Sequence, residues 1–188
     1  MQPSKLLGEL FAQIDQDQPL VVLDTGPALQ ETVDFLSHYR CRLHVADLFS
    51  ELPIELGEEE GSAALHQQFE EMLQFPEGTV FDICLFWDLF NFLSRDAVLA
   101  FVAALRPYLR GGSLAHGFGM HKTNTPQDGR YYAISRADEL LIRERREHLP
   151  GYTPHPQGKL KNMLYCFHFD RSVLLPDGRL ELLLRAQS

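Results

Sequence analysis

Three aspartates in this sequence each stand directly after an apolar run that reads as a strand. Asp24 closes Pro19-Leu-Val-Val-Leu23 and opens the turn Asp24-Thr-Gly26. Asp47 ends Arg42-Leu-His-Val-Ala46, and Asp88 follows the run Val80 to Trp87. An ionised carboxylate only accepts hydrogen bonds, so Asp88 could orient a hydroxyl or an amine, and the other two acids are equipped for the same task. Each acid also has an ordinary use, capping the turn or helix that follows. Trp87, the only tryptophan, could stack on a ligand or attract a cation through its π face, worth ~0.5–2 kcal/mol. It could equally belong to a core with Phe86, Phe90 and Phe92. His116, read as a strand end, could serve as a general base for an oxygen nucleophile or stand as a hydrogen-bonded structural histidine. Gly117 and Gly119 break any helix between His116 and His121, and no third ligand is evident, so no metal site is expected. Cys41, Cys84 and Cys166 are odd in number and far apart, which argues against a disulfide framework and for small buried hydrophobes. Walker A, HExxH and GxSxG motifs are absent. Asp-Thr-Gly occurs once, in an α/β setting, which disfavours an aspartic protease.

The elements that must position these residues alternate. Ser4 to Ile14 has the helical spacing of Leu6, Leu7, Leu10, Phe11 and Ile14. Pro19–Leu23 is continuously apolar, as a strand buried on both faces requires. The pattern predicts a helix over Gln30 to Tyr39 with Val33, Phe35 and Leu36 inward, then a strand over Arg42 to Ala46. Phe49 to Gly61, with Glu58-Glu59-Glu60, reads as a loop. Ser62 is expected to cap a helix reaching Leu73, with a turn at Phe75–Gly78 and a strand over Val80 to Trp87. A helix follows over Arg95 to Leu109, capped by Ser94 and ended by Gly111-Gly112, then a strand over Ser113 to Phe118. Gly119 to Gly129 is polar and turn-rich. Ser135 to His148 reads as a helix with a salt-bridged outer face, and Tyr152 to Gly158 as a loop. Tyr131 and Tyr132 could wall a pocket or pack on the sheet. Lys161–Leu174 and Leu180–Arg185 are expected as strands joined at Pro176-Asp-Gly178.

Alternation of strand and helix implies right-handed crossovers and a mostly parallel sheet covered on both faces. In such sheets ligands bind beyond the strand C-termini, where the strand order reverses. That rule points to Asp24–Gly26, Asp47 and Trp87–Asp88.

Length and composition fit one domain over residues 1–188, with residues 1–17 as an N-terminal helical extension. No secretory signal or membrane-length apolar run is expected, so the cytoplasm is the default location. The net charge of −9 disfavours nucleic acid as a partner.

Four segments resemble the class I S-adenosylmethionine (SAM) methyltransferases. Val21-Val-Leu-Asp-Thr-Gly26 is similar to the family's first strand and acidic turn. His44-Val-Ala-Asp47 is similar to the acidic end of its second strand. Phe81-Asp-Ile-Cys-Leu-Phe-Trp-Asp88, extended to Leu93, is similar to its fourth strand and following loop. Leu105 to Leu114, with Gly111-Gly112, is similar to the break before its fifth strand. Phe167 to Leu184 resembles the closing antiparallel hairpin. No β-run between Asp47 and Phe75 corresponds to the third strand. The resemblance implies a three-layer α/β/α fold with a Rossmann-like, mostly parallel sheet. It implies SAM as cofactor, with Asp24, Gly26 and Ala28 near its methionine portion, Asp47 on the ribose hydroxyls and Trp87 beside the adenosine or sulfonium.

The first loop departs from the family pattern. Asp24-Thr-Gly-Pro-Ala-Leu-Gln30 keeps Gly26 but has Ala28 and Gln30 at the next alternate positions. Glycine permits positive φ and close approach of a ligand, and neither replacement does so equally. Two functions follow. One is SAM-dependent methyl transfer to a small-molecule or protein substrate, with His116 and Asp88 as candidate catalytic groups. The other is a catalytically silent methyltransferase-like module that binds a protein partner. A dehydrogenase is a weaker third, since GxGxxG is absent.

Overall fold

The computed structural model of this chain describes residues 1–57, 60–127 and 129–188. Glu58 and Glu59 of the expected acidic loop, and Asp128 of the turn-rich stretch, lie outside the described residues.

The chain runs β1 (Gln2–Pro3), α1 (Lys5–Ala12), β2 (Leu20–Asp24), α2 (Gln30–Leu36), β3 (Cys41–Val45) and α3 (Ser62–Met72). It continues with β4 (Ile83–Trp87), α4 (Arg95–Leu105), β5 (Leu114–Met120), β6 (Arg130–Arg136), β7 (Glu139–Glu144), α5 (Gln157–Met163), β8 (Phe167–Leu174) and β9 (Arg179–Ala186). The main sheet has the order β3-β2-β4-β5-β9-β8. Its first four strands are parallel, and the C-terminal β8–β9 hairpin is antiparallel. Helices cover both faces, giving the expected three-layer, Rossmann-like arrangement. Strand β4 is buried along its whole length, as a central parallel strand must be.

Local chemistry explains the helix ends. The Ser4 side chain accepts from the Leu7 N–H, and Ser94 accepts from the Ala97 N–H. Helix α1 then buries Leu6, Leu7, Leu10 and Phe11 on one stripe. The cap of α3 is Gly61, with Ser62 as its first residue. No helix among the described residues is long and apolar enough to cross a membrane.

Several expectations need correction. The segment 135–148 is a hairpin, not a helix: β6 pairs with β7, and β1 adds to β7's other side. Ile134 lies opposite Leu140, and both are fully buried, so cross-strand burial outweighs the helical charge spacing. Lys161 belongs to α5, which starts after Pro156, so the strand begins only at Phe167. In α2, Val33 is 40% exposed, while Thr32 is buried and accepts the Ile134 N–H through its hydroxyl. Strand β3 stands at one edge of the main sheet, and no strand occurs between it and β4 among the described residues. Strand β5 extends to Met120, since β9 pairs with it along its full length; His116 is therefore mid-strand. Cys84 and Cys166 are buried, but Cys41 is partly exposed.

Candidate functional site

The strand order reverses beside β2. The chain crosses from β2 to β3 on one side and later returns to β4 on the other. Asp24 ends β2 and Trp87 ends β4, so these two residues flank the crevice at the reversal.

The carboxylate of Asp24 is 1% exposed. Its Oδ1 accepts two hydrogen bonds of 2.8 Å, from the Gly26 N–H and the Trp87 indole N–H. Its Oδ2 is buried without a partner. Burial pushes the carboxyl up to about 6, against the pull of the two hydrogen bonds; the Asp47 charge adds to the rise. The Thr25 hydroxyl and N–H both donate to the Leu85 carbonyl, tying this turn to β4.

The Trp87 indole lies directly over Gly26. A Cβ built on Gly26 would stand 3.1 Å from both Cδ1 and Nε1 of the indole. A side chain there would require the ring to give by a few tenths of an ångström, so Gly26 suits the close approach of Trp87. Gly26 is buried with it. A register shift between Leu85 and Trp87 sets two residues of β4 against one of β5. Phe86 packs on Phe90, Phe101 and Phe167. Trp87, at φ 51°, stacks instead on Tyr132 of β6, with centroids 5.8 Å apart and planes within 9°. Tyr132 stacks in turn on Phe118, 5.2 Å away, and the Arg179 guanidinium lies 4.9 Å over Phe118.

Asp88 is fully buried beside this ladder. Its Oδ2 accepts from Gln127 Nε2 at 2.6 Å and from the Tyr132 hydroxyl at 3.4 Å, while Oδ1 has no partner. Burial raises its carboxyl to about 6, although the charges of Arg145 and Arg179 pull downward. The Tyr132 oxygen also accepts from Arg179 Nη1 at 3.2 Å. Burial pushes the Tyr132 hydroxyl well up, and the Asp88 charge adds to this.

Asp47 is partly buried and caps the turn after β3, accepting from the Phe49 N–H at 3.2 Å. Ala28 has a positive φ of 51°, the conformation that glycine would supply. Gln30 is exposed and bonds Asp34 through its amide at 2.7 Å, away from Gly26. His116 is fully buried and engaged elsewhere: Nε2 meets Glu181 Oε1 at 2.9 Å, and the Ser4 hydroxyl donates to the same oxygen. The Glu181 carboxyl, which burial would raise, is held below its usual range by these His116 and Ser4 hydrogen bonds.

The structure thus brings Asp24, Gly26, Trp87 and Asp88 together, with Asp47 close enough to act on Asp24, and leaves His116 in its own buried pair. Sequence reading missed Phe118, Gln127 and Arg179. Arg179 alone had a signal, a cation opening the leucine-rich stretch Leu180 to Leu184.

No protein-family model and no curated protein sequence matches the chain. Solved structures do. A SAM-dependent methyltransferase from Clostridium acetobutylicum is similar over 100% of this chain and 93% of its own, with a TM-score of 0.53 and 11% identity. The Burkholderia thailandensis 1,6-didemethyltoxoflavin-N1-methyltransferase, solved with bound 1,6-didemethyltoxoflavin and S-adenosylhomocysteine, is similar over 97% of this chain and 77% of its own (TM-score 0.52, 18% identity). The N-methyltransferase NodS of Bradyrhizobium japonicum aligns over 90% and 86%, with a TM-score of 0.51 and 13% identity. With its parallel strands and closing antiparallel hairpin, the chain has the fold of the class I SAM-dependent methyltransferases.

Proposed function

We propose that this chain acts as a methyltransferase-fold binding module, without methyl transfer in the crevice between β2 and β4. One observation carries the reading: Gly26 is buried beneath the chain's own tryptophan. SAM is bulky, with a sulfonium, an amino acid end and an adenosine, and would need Gly26 open to a cavity. Here the distance from the indole to a single added carbon on Gly26 is already at the limit of contact. With the indole in this position the space above Gly26 is taken, so the cofactor could enter only if Trp87 moved. The partner proposed is a protein met in the cytoplasm. Nucleic acid is disfavoured by the charge of −9.

A second reading is methyl transfer. It is favoured by Asp24 and Asp47 at adjacent strand ends and by the unpartnered Oδ2 of Asp24. The fold's relatives that bind S-adenosylhomocysteine make that compound the right probe. This reading requires Trp87 to leave the crevice.

Calorimetric titration with S-adenosylhomocysteine separates the two readings, followed in parallel by fluorescence of the single tryptophan. No saturable heat and an unchanged emission are expected up to about 1 mM, a free energy weaker than about −4 kcal/mol. Micromolar binding with a change in Trp87 emission would replace the proposed reading with the second.

A further inference from the structure

We propose that Trp87 is an internal ligand, and that the crevice beneath it is a binding site for planar heteroaromatic rings bearing an N–H donor. This inference rests on the reading that the chain fills its own crevice. The indole makes every kind of contact that such a ligand would make. Its edge donates to a buried carboxylate, Asp24 Oδ1, at 2.8 Å. One face is covered by the parallel ring of Tyr132. Its Cδ1–Nε1 edge lies close against a glycine. The ring is held at the crevice where the strand order reverses, the ligand position of such sheets.

The main chain indicates that this placement is imposed. A non-glycine residue at φ 51° costs roughly 1–2 kcal/mol relative to an ordinary conformation. The register shift in β4 turns the ring toward Tyr132. Two carboxylate oxygens of the residues around the ring, Asp24 Oδ2 and Asp88 Oδ1, are buried without partners. Buried polar atoms are seldom left so, and Asp24, which already accepts from the indole, has acceptor capacity to spare for a ligand. The Asp24 oxygens accept and do not donate when ionised, which selects N–H rings over rings that present only acceptors.

The test detaches the ring from the chain. Trp87→Gly removes the indole and relieves the positive φ at once. Free indole is then titrated into the variant by calorimetry and by thermal unfolding, with benzofuran as the same shape lacking the N–H. Saturable one-to-one binding of indole is expected at about 1 mM or tighter, with a rise in Tm. Benzofuran is expected to bind at least about tenfold more weakly, because the carboxylate is left unpaired. The wild-type protein, its site filled, is expected to bind neither. If Trp87→Gly is unfolded alone, recovery of its fold on adding indole supports the inference, and failure to recover overturns it. A folded Trp87→Gly that binds no indole, or binds benzofuran equally, also overturns it. These outcomes are independent of the wild-type titration with S-adenosylhomocysteine, which tests the function proposed above.

Discussion

The indole N–H of Trp87 donates to Asp24 Oδ1 across 2.8 Å and ties the end of β4 to the end of β2. The same oxygen accepts the Gly26 N–H, so one buried carboxylate organises both sides of the crevice. Its other oxygen goes unpaired, and that imbalance has a measurable consequence for stability.

Asp24 titrates at about 6 in the folded chain, above its ordinary value of 3.8. Between these values the folded state holds more protons than the unfolded one, so stability falls as pH rises. The contribution is fully present below about pH 4 and is lost as pH climbs through about 6. Its full size is about 3 kcal/mol. Asp24→Asn keeps an acceptor for both donors and removes the titration. Urea unfolding at pH 4.5 and 7.5 is expected to favour the variant over wild type increasingly as pH rises, by about 2 kcal/mol across that interval. A pH-independent difference between the two proteins would refute the account of Asp24.

Asp47 works as a cap on the turn after β3. Asp47→Ala is expected to lose about 0.5–2 kcal/mol of stability in chemical denaturation. In the proposed reading it changes no affinity for S-adenosylhomocysteine, because there is none to change. A variant with wild-type stability and altered nucleoside binding would instead return Asp47 to a ligand-binding role.

Gln30 has its amide bonded to Asp34 and does not fill the crevice. Gln30→Gly is therefore expected to leave titration with S-adenosylhomocysteine as it is in wild type, with at most about 1 kcal/mol lost from the start of α2. Binding gained by this variant would mean that the loop sequence, and not Trp87, closes the crevice.

Much of the fold was legible because its signals are local. The runs at Leu20–Leu23 and Ile83–Trp87 are apolar enough to require burial on both faces, and Ser4 and Ser94 announce helix starts by capping chemistry. Segment 135–148 carries charges spaced as on a helix, a spacing that also suits a hairpin. What decided between them was the burial of Ile134 against Leu140, with β1 arriving from more than 130 residues away. Asp24, Gly26 and Trp87 could be placed near one another from the rule of strand ends alone. The sequence could not say that the indole would turn onto Gly26. That depends on a register shift in β4, on Gly117 admitting the Trp87 carbonyl at close range, and on Tyr132 reaching in from a separate sheet to stack on the ring. Strand ends follow from local hydrophobic pattern, whereas the contents of a crevice are set by packing between segments distant in the chain, and packing has no local code.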